Sequence, residues 1–331
     1  MKKLLNYKTA VLAAAVFLII MAITGCTKDK RVSKTSLKLD TVVTITLYGD
    51  YDPKYIDSAF EEIDRLSALL DVNEEGSELY KLAVNAGEWI DISHETAEVL
   101  GLALEYYELS DGYFDVTAAP LVELWNVNGG GYYPTEAEIS AAVAMVDGSQ
   151  LQLAGDKARL AKSGMKADLG GIAKGYIADK VKEHLVGLGV KHAVIDLGGN
   201  VVLIGTKPDG SRYNVGVKDP LDKDGKLLTT IAGSDESMVT SGIYERYFEH
   251  DGKRYHHIID PFTGAPSESD LAGVTIVSRN SAQADSLSTA CLLIGSDAAL
   301  QLIEEIDGTE ALLVTRDGEV YKSSGMADRL K

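Results

Sequence analysis

The feature of this sequence that most restricts its fold is a series of short, strand-sized segments separated by glycine turns. Short strands joined by such turns are typical of antiparallel sheets. Segments with the longer spacing of amphipathic helices lie between and around them. The strand-sized segments are residues 41–49, 192–196, 200–205, 213–218, 226–232, 254–259 and 273–278, and the helical ones are residues 53–71, 94–110, 171–187, 281–294 and 296–306. Long helices between groups of antiparallel strands predict an α+β fold.

The sequence predicts a single structural unit after a short N-terminal region. It has 331 residues, of which 45% are hydrophobic and 25% charged, as in globular proteins. No strong linker follows residue 37, so we expect residues 38–331 to form a single interlocked unit of antiparallel strands and packed helices. The segment TEAE (residues 135–138) has the pattern of a helix capping box.

The N-terminus has the pattern of an export signal. Three lysines within the first eight residues precede an uncharged run, residues 9–25, which is shorter than the roughly 20 apolar residues of a membrane-spanning helix. The run ends in small residues just before Cys26, which resembles a bacterial lipoprotein signal. We therefore expect residues 1–25 to be removed, Cys26 to be lipidated and residues 26–37 to be a tether. An uncleaved anchor is the alternative.

Charge and cysteine content exclude several functions. The net charge of −18 argues against binding to nucleic acid, which requires a basic surface. An acidic protein that holds a polyphosphate usually needs a divalent cation. If Cys26 is lipidated, Cys291 has no partner, and its apolar surroundings indicate a small buried hydrophobic residue.

The segment ADLGGIAKGYIAD (residues 167–179) places an acid, two glycines and a lysine where a helix is predicted to begin near Ile172. Free N–H groups at a helix start favour an anion, and Lys174 can add a positive charge for a phosphate oxygen. The pattern alone suits either a nucleotide site or a structural turn with surface charges. The segment DLGGNVVLIG (residues 196–205) repeats the acid and glycine pattern between two strands, where a hairpin turn explains the glycines equally well.

Two further segments carry candidate catalytic groups. In HHIIDPFTGAP (residues 256–266), a histidine near a carboxylate can act as a general base, and the alternative is a strand end with a solvated histidine. In ADSLSTA (residues 284–290), Asp285 and Thr289 are four residues apart on one helix face, and both offer the hard oxygen ligands that Mg²⁺ prefers. The alternative there is an ordinary helix whose threonine bonds its own backbone.

Taken in order, these four segments resemble the motifs of the ApbE-type FAD:protein FMN transferase family. The segments SLKLDTVVTITLYG, SELYKL, DGYFDVT and SGIYERYF also resemble parts of that family, so the similarity covers nearly all of the chain after the tether. The resemblance implies that residues 38–331 form a catalytic domain that takes FAD as its substrate and Mg²⁺ as its metal. It further implies that FMN is attached through a phosphoester to a Thr or Ser of a target protein, with release of AMP.

The resemblance also implies roles for individual residues. The side chains of Asp285 and Thr289 and the backbone carbonyl of Gly171 would bind Mg²⁺, which makes Asp285 catalytic through the metal. His257 is the candidate base for the acceptor hydroxyl. The residues implied to contact FAD are Leu39, Tyr113, Phe114, Asp115, Asp168, Lys174 and Ile258. The sequence LDT at residues 39–41 replaces the family's usual Met-Gly-Thr.

The implied partners are acceptor flavoproteins with a Ser/Thr-Gly-Ala-Thr motif, such as membrane redox subunits, which a lipid-anchored enzyme would meet on the extracytoplasmic face of the cell membrane. Two departures from the family stand out. Asn73 lies near a position where many relatives carry an aromatic residue, and Pro266 removes the hydroxyl from a segment that otherwise resembles an acceptor motif. The alternatives are an FAD pyrophosphatase that gives FMN and AMP, a non-catalytic FAD-binding lipoprotein, or a purely structural lipoprotein.

Overall fold

The computed structural model describes residues 30–331, and Cys26 with the predicted signal lies outside the described residues. The strands of the described chain are β1 (Arg31–Lys38), β2 (Thr41–Tyr48), β3 (Ile90–Asp91), β4 (Leu151–Leu153), β5 (Lys157–Leu160), β6 (Ala193–Leu197), β7 (Asn200–Ile204), β8 (Tyr213–Lys218), β9 (Leu227–Gly233), β10 (Ser237–Gly242), β11 (Tyr247–His250), β12 (Lys253–His256), β13 (Leu271–Ser278), β14 (Glu310–Thr315) and β15 (Val320–Lys322).

The helices are α1 (Lys54–Leu70), α2 (Glu78–Val84), α3 (His94–Leu109), α4 (Ala119–Trp125), α5 (Glu136–Val143), α6 (Ala173–Gly187), α7 (Ser281–Ile294) and α8 (Ser296–Glu304). All five helices predicted from apolar spacing are present, and their ends agree with the prediction to within two residues. In α1 the residues that face the core are Ile56, Ala59, Ile63, Leu66 and Leu70, in agreement with the amphipathic pattern. The capping box of α5 is also present, because Thr135 and Glu138 each bond the other's backbone N–H.

An eight-stranded antiparallel sheet forms the centre, in the order β1-β2-β6-β7-β10-β13-β14-β15. Helices α6 and α7 pack against each other and against the middle of this sheet, and α1 packs on α6. Two-stranded pairs β8-β9 and β11-β12 and the small sheet β3-β5-β4 lie outside it. The predicted α+β fold is confirmed, and its central strands and helices form one continuous core.

The glycine pair in DLGGNVVLIG forms a turn between β6 and β7. Gly198 and Gly199 have φ of 67° and 100°, values in the left-handed region that favours glycine. A Cβ at position 198 would lie 1.9 Å from the Thr41 hydroxyl, so close approach of β2 requires glycine there as well. The hairpin interpretation of this motif is confirmed.

The structure corrects the predicted tether over residues 26–37, because β1 already begins at Arg31. β1 pairs with β2 along its whole length, and two of its lysines bond aspartates of α1: Lys34 to Asp57 and Lys38 to Asp64, both at 2.6 Å. Its sequence, RVSKTSLK, lacks the apolar alternation by which strands are recognised, because β1 is an outer strand with little burial. Within residues 30–331, no helix is both long and apolar enough to cross a membrane.

Candidate active site

A cavity of about 860 Å³ opens over the middle of the central sheet, within the range of ligand-binding pockets. Its walls come from the turn after β1, the segment before α4, the start of α6, strands β7, β8, β10 and β13, and helix α7. The charged side chains around it are the acids Asp40, Asp115, Asp168, Asp196, Glu245 and Asp285, the bases Lys174, Lys218 and Arg246, and His257. With more acids than bases, the cavity suits an anionic ligand only if a cation accompanies it.

The motif at residues 167–179 forms one wall of this cavity. The turn at Asp168 is held by a hydrogen bond of 2.7 Å from the Gly170 N–H to the Asp168 carboxylate, and α6 begins at Ala173 as predicted. Burial raises the pKa of Asp168, against the opposing effect of that bond and of Lys174. The Lys174 ammonium donates to the Gly170 carbonyl at 3.3 Å and lines the cavity, within reach of a ligand.

One helix N–H that we expected to face a phosphate has a protein partner instead. The Gly175 N–H, in the first turn of α6, donates to Oδ2 of Asp285 at 2.9 Å. The carboxylate of Asp285 therefore takes the place next to the helix start that suits an anion. This arrangement leaves Asp168, Gly170, Gly171 and Lys174 as the parts of the motif that border the cavity.

The three predicted metal ligands lie together. Asp285 is 3% exposed, and its Oδ1 has no hydrogen-bond partner within the described residues. Thr289, one turn further on α7, donates to the Asp285 carbonyl only through a long contact of 3.4 Å. A Cβ on Gly171 would lie 3.5 Å from the Thr289 hydroxyl and 3.0 Å from the Phe114 ring, so the glycine leaves room beside the hydroxyl.

These oxygen donors fit a magnesium ion better than a transition metal. Residues 30–331 contain no cluster of three or more His, Cys, Asp or Glu side chains that could hold a metal. Mg²⁺ commonly takes one or two carboxylates and completes its shell with water and phosphate oxygens. One buried carboxylate, one hydroxyl and one backbone carbonyl are a donor set of that kind.

The segment DGYFDVT contributes an aromatic wall and an internal support. The Tyr113 ring packs edge-on against Phe262 at 5.0 Å between centroids, and Phe114 is buried beside Gly171. Asp115 borders the cavity, but its carboxylate accepts bonds from the Thr117 N–H, the Thr117 hydroxyl and the Gly148 N–H. Burial raises the pKa of Asp115 despite these bonds. We assign Asp115 to shaping the wall.

His257 and Ile258 line the same cavity as the metal-ligand candidates. The His257 ring bonds the Arg246 carbonyl through Nδ1 at 3.2 Å, and since a carbonyl only accepts, Nδ1 carries the proton. Nε2 is then the atom with a free lone pair. Burial, with Arg246 and Lys174 nearby, lowers the pKa of His257 to about 4, so the ring is neutral near pH 7.

Leu39 does not line the cavity. It occupies the first position of the β1-β2 turn with φ of 53°, and its half-buried side chain packs against the core. The next two residues, Asp40 and Thr41, line the cavity instead. The assignment of Leu39 as a ligand contact therefore gains no support from the cavity and stays a prediction.

The fold brings in residues that sequence patterns did not indicate. Lys218 and Arg246 add two cations to the cavity, and Thr240 and Thr275, whose hydroxyls lie 2.9 Å apart, form part of a polar floor on the sheet. Arg246 lies inside SGIYERYF, one of the segments that resemble the family. That resemblance could have indicated Arg246 as a site residue. Lys218 ends a predicted strand, and nothing local distinguishes it from a surface lysine.

A smaller space of about 180 Å³ continues from the cavity past Asp168 and His257. Asn73 lines it, together with Val122, Trp125 and Ile259. The position that departs from the family therefore lies beside the candidate base, where an aromatic side chain would fill part of this space.

The fold and the cavity define an α+β protein with a large, mostly acidic cleft over its central sheet. The comparisons with known proteins identify the family. The chain belongs to the ApbE family, whose model matches residues 39–313. The resemblance noted from the motifs is confirmed.

Its relatives cover nearly the whole chain. A protein of Treponema pallidum named "FAD:protein FMN transferase" is 33% identical over 93% of this chain and 91% of its own length, and one of Klebsiella pneumoniae with the same name is 32% identical over 89% and 93%. Among solved structures, the ApbE protein of Thermotoga maritima has a TM-score of 0.84 and 29% identity, and the flavin transferase ApbE of Vibrio cholerae has 0.83 and 26%. Each alignment covers 91% of this chain and 99% of the other.

Proposed function

We propose that this protein is a Mg²⁺-dependent FAD:protein FMN transferase that joins FMN to a Thr or Ser hydroxyl of a target protein and releases AMP. The observation that carries the proposal is the meeting of Asp285, Thr289 and Gly171 with Lys174 in one cavity large enough for a dinucleotide. The names of the relatives point to the same activity.

In the reaction, the acceptor oxygen forms a new bond to the FMN phosphorus while the pyrophosphate P–O bond to AMP breaks. A magnesium ion at Asp285, Thr289 and Gly171 would supply electrophilic stabilisation of the phosphate charge. Lys174 adds a second positive charge from the α6 side. The cavity's own excess of carboxylates explains why a lysine alone would leave the pyrophosphate poorly balanced.

His257 is suited to receive the acceptor proton. The Nδ1 bond to Arg246 fixes the ring and directs the basic lone pair to Nε2. Since the pKa is lowered to about 4, the ring is a weak base that is fully available above pH 5. We assign His257 to accepting the hydroxyl proton as the phosphorus–oxygen bond forms.

We propose further that Cys26 carries the lipid and holds the domain at the extracytoplasmic face of the cell membrane. The support is the sequence pattern of residues 1–26. Acceptors would then be flavoproteins exposed on the same side, including membrane redox subunits with a Ser/Thr-Gly-Ala-Thr segment.

Intact-protein mass spectrometry tests the activity. Residues 27–331 are mixed with FAD, Mg²⁺ and a small acceptor domain that carries the Ser/Thr-Gly-Ala-Thr segment, with EDTA as the control. We expect the acceptor to gain the mass of one FMN only when Mg²⁺ is present. An unmodified acceptor with free FMN and AMP would identify a pyrophosphatase, and intact FAD would identify a binding protein.

A further inference from the structure

Helices α6 and α7 touch through their backbones at Gly175. A Cβ at this position would lie 2.3 Å from the Ser281 carbonyl oxygen and 2.7 Å from the Cα of Ala282. Both residues belong to the first turn of α7, and Gly175 belongs to the first turn of α6. Two helix N-termini therefore meet at one point, each with a positive dipole end and with N–H groups that have no partner within their own helix.

Each helix supplies a carboxylate to the other helix's N-terminus. Asp179, one turn beyond Gly175 on α6, accepts the Ser281 N–H at 2.8 and 2.9 Å and the Ala282 N–H at 2.9 Å. Asp285, one turn beyond the contact on α7, accepts the Gly175 N–H at 2.9 Å. The exchange neutralises both dipole ends and fixes the spacing of the two helices.

This spacing also fixes the proposed metal ligands. Gly171 lies just before α6, whereas Asp285 and Thr289 lie on α7. The distance between the two groups of donors therefore depends on how α6 and α7 sit against each other. Asp285 belongs both to the helix contact and to the proposed metal ligands. Its Oδ2 is bound to α6, and its Oδ1 is left for the cavity.

We propose that Asp179 is a positioning residue for the metal site: by holding the first turn of α7 against α6, it sets the affinity of the Gly171, Asp285 and Thr289 donors for Mg²⁺. The inference rests on the proposed function. Asp179 is not among the residues that line the cavity, so it acts through the helix pair. Burial raises its pKa to about 6, in keeping with a carboxylate held for its hydrogen bonds in a largely desolvated place.

An ordinary helix cap provides the matched control. Asp270 bonds the Ser296 N–H at 3.0 Å and the Ser296 hydroxyl at 2.6 Å at the start of α8, outside the cavity. Replacing Asp179 or Asp270 by Asn removes a capping carboxylate in each case. Only Asp179→Asn disturbs the helix pair that carries the donors.

The experiment measures Mn²⁺ binding to residues 27–331 by electron paramagnetic resonance, with FAD binding in EDTA measured separately. We expect Asp179→Asn to weaken Mn²⁺ binding about 10-fold, the lower end of the effect of residues that orient metal ligands, with FAD affinity in EDTA unchanged. Saturating Mg²⁺ should restore most of the transfer rate. Asp179→Glu, which keeps the carboxylate, should lose less Mn²⁺ affinity than Asp179→Asn. If thermal melting shows Asp179→Asn to be unfolded, the Glu variant is used in its place.

The outcomes separate the inference from the proposed function. These outcomes are read once Asp285→Asn is shown to lose the metal. The positioning role would be overturned if Asp179→Asn bound Mn²⁺ with wild-type affinity. It would also be overturned if Asp270→Asn lost as much Mn²⁺ affinity as Asp179→Asn. If the wild type binds no Mn²⁺, or if Asp285→Asn binds it normally, the metal site itself is wrong and the role of Asp179 falls with it.

Discussion

At the scale of single residues, the surroundings of His257 determine the pH at which its ring binds a proton. Its pKa is lowered from 6.5 to about 4, so the unfolded chain binds this proton more tightly than the folded protein does. The stability contributed by the neutral ring is fully present above pH 6.5 and is lost as the pH falls through the window from 6.5 to 4. Carboxylates with raised pKa values, such as Asp168, act in the opposite direction.

The first prediction isolates this contribution by comparing variants. The difference in free energy of unfolding between wild type and His257→Gln should shrink as the pH falls from 6.5 to 4, because only the wild type gains a proton at this site on unfolding. Chemical denaturation across that range measures it. The control is His94→Gln, which removes an imidazole whose side chain is 82% exposed. A difference independent of pH would contradict the neutral state of the His257 ring in the folded protein.

The second prediction concerns the chemistry of the same residue. His257→Gln should lower the kcat of transfer by about 10²–10⁴-fold, the usual contribution of a general base, while FAD binding stays nearly the same. The acid limb of the wild-type rate should fall near pH 4 and be absent in the variant. Stopped assays of acceptor labelling across pH 4–8 measure both. A variant with a wild-type rate would remove His257 from proton transfer.

At the scale of elements, the missing side chain of Gly175 allows α6 and α7 to pack backbone to backbone. We predict that Gly175→Ala destabilises the protein by about 1–3 kcal/mol, since the added methyl group meets fixed backbone atoms of Ser281 and Ala282. Gly187→Ala, in the same helix with open space around the new methyl group, is the control and should be neutral or slightly stabilising. Equal melting temperatures for the two variants would contradict the backbone contact.

Most elements could be predicted from the sequence because their side chains follow a simple period. The amphipathic pattern of α1 and the capping box at Thr135 are local signals, and both are present in the structure. The strands missed were β1, β3, β4, β5, β10, β11, β14 and β15. β1 is polar at the sheet edge, β10 and β14 are mostly buried without alternation, and the other five are only two to four residues long. Periodicity fails at both extremes of burial.

The site was predictable to the extent that its residues lie in continuous motifs. Asp168, Lys174, His257, Asp285 and Thr289 all border one cavity, although their roles stay predictions. The exchange of carboxylates between α6 and α7 joins residues 110 positions apart in one direction and 102 or 103 in the other, and no local pattern encodes it. Lys218 reaches the cavity in the same way, through tertiary folding alone.

At the scale of the whole molecule, β1 begins away from the cavity and ends beside it. Arg31 begins the strand, and the turn that follows its last residue reaches the cavity at Asp40. Eight residues of strand span about 26 Å, and only residues 27–30 separate Cys26 from Arg31. A lipidated chain would therefore hold the domain close to the membrane by the end away from the cavity.

This geometry predicts that anchoring leaves the cavity accessible. The lipidated protein bound to liposomes should label a soluble acceptor at a rate within about 3-fold of residues 27–331 in solution, because the strand keeps the cavity beyond the Debye length of about 8–10 Å from the surface charge. Acceptor labelling measured for both forms tests it. A loss of more than about 10-fold on liposomes would mean that the cavity faces the membrane.

The central claim is that this cavity transfers FMN rather than binding or hydrolysing FAD. The most direct measurement counts AMP and FMN-modified acceptor in one reaction of residues 27–331 with FAD and Mg²⁺, by chromatography and intact mass. The account predicts one AMP for each modified acceptor and no products with Asp285→Asn. AMP accompanied by an equal amount of free FMN, with the acceptor unchanged, would contradict it.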